Sequence, residues 1–113
     1  MPAESQLFAG LPVRDLASGL EWYAAFFGRS ADEIVGDEAM WQVSEHAWLF
    51  IAPDPARAGG GLVTLGVEDL DPWLSRWGGV GIGHKPLEAY GNGVRHVTVL
   101  DPDGNSLSLA AAR

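Results

Sequence analysis

The chain contains no cysteine, which excludes disulfides, thiolate metal sites and cysteine nucleophiles. No apolar run approaches the ~20 residues that a membrane span needs, and no charged-then-apolar leader opens the sequence. The expectation is a soluble cytoplasmic protein without a membrane partner. Basic residues are scarce: 7 Lys and Arg stand against 15 Asp and Glu, for a formal charge of −8. That balance disfavours nucleic acid, whose phosphates select basic surfaces. It favours cationic ligands through long-range steering. Gly59-Gly60-Gly61 is not followed by Gly-Lys-Ser/Thr, so it reads as a connector and not as a phosphate loop.

The chain does have 113 residues, enough for one domain that buries roughly two-thirds of its surface without staples. Five of those residues are Trp, a side chain enriched in cores, ligand pockets and interfaces. The clearest pattern runs from Val94 to Ala110. Two period-2 runs flank Asp101-Pro102-Asp103-Gly104-Asn105, a cluster of turn formers, so a hairpin is predicted. Its alternation puts Val97, Val99, Leu107 and Leu109 on one face, and His96, Thr98, Ser106 and Ser108 on the other.

Upstream, Gln6 to Val13 reads as a strand. Asp15 is a candidate N-cap, and Leu16, Leu20, Tyr23 and Phe27 form a helical stripe closed by Gly28. A short strand is expected within Ala31–Gly36, then two more over Met40–Ser44 and Trp48–Ala52. Leu62 to Val67 is again a strand. Asp71, with Pro72 at the first helical position, opens a second helix that Gly78-Gly79 closes. Ile82 to Ala89 is irregular, with room for one strand.

The order repeats. Leu11 to Leu16 matches Leu65 to Leu70 at an offset of 54 residues, and both segments fall on a strand-to-helix junction. The division expected is residues 1–53, a Gly/Pro linker at 54–61, and residues 62–113. Neither half alone has the layers to bury its sheet, so the halves must pack together or pair across subunits.

These features together resemble the vicinal oxygen chelate superfamily, the group of glyoxalases, extradiol dioxygenases, and fosfomycin- and bleomycin-resistance proteins. The resemblance rests on the doubled unit, the Val-x-Asp-Leu junctions at Val13–Leu16 and Val67–Leu70, the Leu20–Tyr23 helix segment and Asp101–Asn105. It implies an α+β fold of two β-α-β-β-β modules forming curved mixed sheets. It also implies a homodimer and several candidate chemistries, since one fold hosts many. The metal-dependent members place His, Gln or Glu at set strand positions, which here fall on Phe8, Leu62, Ser108 and about Phe50. None of these suits a divalent ion, so no metal and no cofactor are expected.

The sheet faces of that parity then carry Phe8, Gly10, Gln42, Trp48, Phe50, Leu62, Thr64, His96, Thr98 and Ser108. An apolar wall with sparse polar groups suits a small-molecule site. The first functional expectation is therefore a metal-independent binding protein, similar to bleomycin-resistance proteins, for a hydrophobic, aromatic or cationic compound. The alternatives are a glyoxalase- or dioxygenase-type lyase, and a metal-free isomerase with His96 as the candidate general base. His96 has no carboxylate partner assignable from sequence. His46 and His84 fall in a turn and a loop.

Overall fold

The first alternating run becomes β1, Leu7–Val13, in a computed structural model that describes residues 3–112. Asp15 caps the helix that follows: its carboxylate accepts the Ser18 amide at 2.9 Å and the Ser18 hydroxyl at 2.7 Å. Helix α1, Leu16–Phe27, ends where Gly28 takes φ 75°, and the Gly28 N–H bonds Ala24 O. That left-handed turn is one glycine adopts at little cost. Three strands complete the first module: β2 (Glu33–Val35), β3 (Glu38–Ser44) and β4 (Ala47–Pro53). The second module repeats the order with β5 (Leu62–Gly66), α2 (Asp71–Val80), β6 (Glu88–Ala89), β7 (Arg95–Leu100) and β8 (Ser106–Ala111).

The modules form two separate four-stranded sheets, ordered β1-β4-β3-β2 and β5-β8-β7-β6. In each, the first and last strands pair in parallel and the other pairs are antiparallel. Parallel neighbours need a long crossover, which the helix and the two middle strands supply. The 54-residue sequence repeat is thus a topological repeat.

The second helix departs from its sequence reading at both ends. Leu70 is the N-cap and makes no side-chain cap bond, which puts Asp71 first in the helix and Pro72 second. The Asp69 carboxylate instead accepts the Asp71 amide at 3.0 Å. Gly78-Gly79 does not close the helix: the turn continues to Val80, and Gly81 takes the left-handed φ of 77°. The intrinsic cost of two glycines, about 1 kcal/mol each, is outweighed because Trp77 is fully buried and anchors that turn.

The helix-facing sides of both sheets share one core, containing Leu11, Val13, Leu49, Ile51, Val97, Val99, Leu107 and Leu109. Gly19 lets α1 lie directly on Ile51 and Val13. The aromatic residues Tyr23, Phe26 and Trp77 fill the space between the modules. Phe26 and Trp77 stack with ring centroids 5.3 Å apart. The Phe26 carbonyl, which has no partner within its own helix, accepts the Trp77 indole at 3.1 Å and Arg76 Nη2 at 3.0 Å.

A second tie between modules is polar and buried. Asp101 Oδ2 accepts the Tyr23 hydroxyl at 2.7 Å and Asn105 Nδ2 at 2.8 Å. Asp101 Oδ1 accepts the amides of Asp103 and Asn105. Asn105 Nδ2 also donates to Pro12 O, and its Oδ1 accepts the Gly61 amide. The turn Asp101–Asn105 therefore clamps α1, the end of β1 and the linker at once.

Burial, then the Asp101 carboxylate, push the Tyr23 phenol far above its ordinary range. A folded-state value raised above the unfolded value of about 10 gives a stability contribution that is complete below that pH and is lost as pH rises beyond it. Tyr90→Phe leaves Tyr23 as the one remaining tyrosine. Titrated at 295 nm, that variant should show no tyrosinate absorption until the fold opens, in one alkaline transition above about pH 10. A smooth phenol titration with an unchanged circular dichroism spectrum would contradict the buried pair.

Candidate functional site

Strand parity decides which side chains face away from the helices. Leu49 and Ile51 are fully buried in the shared core, so Trp48 and Phe50 lie on the opposite face of β4. Phe8 stands opposite Trp48 across the parallel ladder, and Gly10 stands opposite Phe50. Gln42 is the antiparallel neighbour of Trp48. The missing side chain at Gly10 is filled by the Phe50 ring, with which a Cβ would collide. Phe8, Trp48 and Phe50 form an aromatic surface with Phe8 51% exposed.

The second sheet presents a polar counterpart. Thr64 pairs with Ser108, and Ser108 with Thr98. The Thr98 and Ser108 hydroxyls are 2.8 Å apart and bond each other. Leu62 is 79% exposed at the unpaired edge of this sheet. His96 lies across from Glu88, and its Nδ1 is 3.0 Å from Glu88 Oε1. The Tyr90 ring sits 5.6 Å from the imidazole, centroid to centroid. His96 thus has a carboxylate partner that sequence reading did not assign. Glu88 belongs to a two-residue strand, too short for any periodic signal. His46 and His84 are exposed.

The single chain brings the proposed residues together as two groups. Phe8, Gln42, Trp48 and Phe50 share one sheet face; Leu62, Thr64, His96, Thr98 and Ser108 share the other. A cleft of about 400 Å³ between the modules takes in Gln42, Trp48 and Thr64, but not Phe50, His96, Thr98 or Ser108. Arg29, which that cleft also includes, was missed. A cation next to the Gly28 helix cap is a local signal that could have flagged it.

The ladder register makes Phe50 the counterpart of Ser108, because Gly10 pairs with Phe50 as Thr64 pairs with Ser108. Phe8, Phe50 and Leu62 offer no lone pair, and the Ser108 hydroxyl is engaged by Thr98. Among the described residues, no group of three or more His, Cys, Asp or Glu side chains is arranged to hold a metal ion. The residues at these positions do not fit a divalent metal. Among the described residues, no helix is long and apolar enough to cross a membrane.

A crystal structure of a glyoxalase/bleomycin resistance protein from Catenulispora acidiphila is 39% identical in sequence, covers 96% of this chain and 98% of its own, and superposes with a TM-score of 0.88. The chain belongs to the glyoxalase/bleomycin-resistance family of the vicinal oxygen chelate superfamily. Two more distant structures share its fold. A bleomycin-binding protein complexed with bleomycin is 21% identical with a TM-score of 0.75, covering 97% of this chain and 98% of its own. A lactoylglutathione lyase from Agrobacterium tumefaciens is 18% identical with a TM-score of 0.76, covering 98% and 96%. Neither a family model nor a curated relative matches the chain. The doubled β-α-β-β-β architecture is the glyoxalase/bleomycin-resistance fold. Family membership supports a small-molecule-binding protein.

Proposed function

We infer that this protein is a metal-independent binder of a hydrophobic, aromatic or cationic small molecule, held on the sheet faces turned away from the helices. The observation that carries this reading is the Phe8–Trp48–Phe50 surface; Phe8 and Phe50 stand where the resemblance puts metal ligands. Aromatic faces attract planar rings and cations, and the charge of −8 adds attraction for a cation at low salt.

A second copy completes the site in this reading. β1 and β5 are unpaired sheet edges, and they expose Leu7, Phe8 and Leu62. Such edges invite pairing, and a two-fold dimer closes both at once. A cytoplasmic location accompanies this proposal. The protein should elute as a species of twice its 12.0 kDa chain mass and carry no stoichiometric Zn, Ni, Mn or Fe by elemental analysis.

The binding test uses ethidium, a planar cation, read by quenching of Trp fluorescence. Trp48→Ala and Phe50→Ala should each weaken it at least about tenfold, on the order of 1.4 kcal/mol, in a chain that stays folded. Unchanged binding in both variants would overturn the sheet-face site. A metal-free isomerase or lyase is favoured by one observation, the His96 Nδ1 to Glu88 Oε1 distance of 3.0 Å, the reach of a base and its orienting carboxylate. In that case His96→Ala would abolish turnover of the compound while leaving its binding intact.

A further inference from the structure

The cleft between the modules shares Gln42, Trp48 and Thr64 with the sheet-face residues, but it extends to the helix side of the sheets and carries a cation. β1 and β5 approach each other where Leu11 packs against the backbone of Gly61. The cleft takes in Leu7 at the start of β1 and Val67 just beyond the end of β5, and it encloses about 400 Å³. Its wall includes Leu49, which faces the helices, together with Phe27 and Trp73 from the two helices. It therefore reaches into the side of the sheets opposite Phe50 and His96. Apolar walls with a few polar groups describe a small-molecule pocket.

Among the described residues, one charged group lines this cleft, Arg29. Its Nη2 donates to Asp32 Oδ2 at 3.2 Å and to Gln42 O at 2.7 Å, which holds the guanidinium in place 5.5 Å from the Phe27 ring centroid. Both protein bonds use Nη2, so among the described residues Nε and Nη1 take no protein acceptor. Arg76 stands near it. The Arg76 guanidinium lies 4.6 Å over the Trp73 ring, and its Nε is buried without a hydrogen-bond partner among the described residues. Among the described residues, no carboxylate lies within ion-pair distance of Arg76. Burial first, then the charge of Arg29, lower its affinity for the proton. Arg29 pairs with Asp32, while Arg76 stacks on Trp73 with no carboxylate partner among the described residues.

We propose that the cleft between the modules is a second ligand site, for a small planar or apolar anion whose carboxylate or sulfonate pairs with Arg29. With both N–H bonds of Nη2 taken by Asp32 and Gln42, Nη1 is left to hold such a head group through a charge-assisted hydrogen bond. Phe27, Trp48 and Trp73 pack against the apolar body. The opposite charge preference separates this site from the sheet-face cleft proposed for a cation.

The test compares 8-anilino-1-naphthalenesulfonate with its uncharged analogue N-phenyl-1-naphthylamine, by fluorescence titration of the native protein. One saturable site per chain is expected, at least tenfold tighter for the sulfonate. Arg29→Gln should remove that preference, and Phe50→Ala should leave it unchanged, whereas Phe50→Ala weakens ethidium. A near-ultraviolet dichroism spectrum checks that each variant is folded; if Arg29→Gln is not, the comparison of the two dyes on the unaltered chain decides. Equal affinities, a sulfonate preference that survives Arg29→Gln, or no saturable binding would overturn the proposal. The last is the result if a second copy of the chain covers the cleft.

Discussion

Trp77→Ala should cost about 3–5 kcal/mol of stability, the range for truncating a large buried aromatic. The melting temperature should fall by on the order of 10–20 °C for a domain of this size. Trp77 is completely buried. Its ring stacks on Phe26 of the other module and meets Trp73 at 6.1 Å in a near-perpendicular arrangement. Its indole N–H helps to close the C-terminal end of α1 by bonding Phe26 O. Truncation therefore opens a cavity at the junction of the two modules and removes one of two donors to that carbonyl. Arg76 keeps the other, so most of the loss is packing. Trp77→Phe, which keeps a ring but drops the donor, should recover more than half of the deficit. A Trp77→Ala chain that melts within a few degrees of the parent would mean that the modules are not held together here.

Asp101→Ala should be comparably damaging, about 3–5 kcal/mol. Its two carboxylate oxygens accept four donors: the Tyr23 hydroxyl, Asn105 Nδ2, and the amides of Asp103 and Asn105. Asp101, Tyr23 and Asn105 are all buried, so the lost acceptor leaves orphaned polar groups, each costing about 1–3 kcal/mol where water cannot reach. Tyr23→Phe removes one donor and should cost about 1–2 kcal/mol. Because the two residues touch, the double variant should be less destabilised than the sum of the singles, with a coupling of about 0.5–3 kcal/mol. Denaturant midpoints of the four proteins give this cycle. Strict additivity would show that the 2.7 Å contact contributes nothing.

Several elements were legible because their signals are local. Asp15 reads as a cap, since its carboxylate needs only the amide three residues on. The turn after β7 reads from Pro102 and Gly104, and Gly104 does take φ 99°. Alternation sorted Val97, Val99, Leu107 and Leu109 into the core and left His96 and Thr98 on the far face. The 54-residue repeat carried the topology, because a repeated strand-to-helix junction forces the same crossover twice.

What the sequence by itself determined, then, is the set of elements, their faces and their doubling, all fixed by chain-local sterics and periodicity. The tertiary structure alone decided how the two modules grip each other. Tyr23 finds Asp101 across 78 residues, Trp77 finds Phe26 across 51, and Asn105 finds Pro12 across 93. No period or spacing encodes such partners. The same limit holds for the sites. Parity puts Phe8, Trp48 and Phe50 on one face, but it does not say that Glu88 stands beside His96 or that Arg29 lines the cleft between the modules. Those placements depend on how the two sheets are set by their shared core, and burial energy is indifferent to sequence separation.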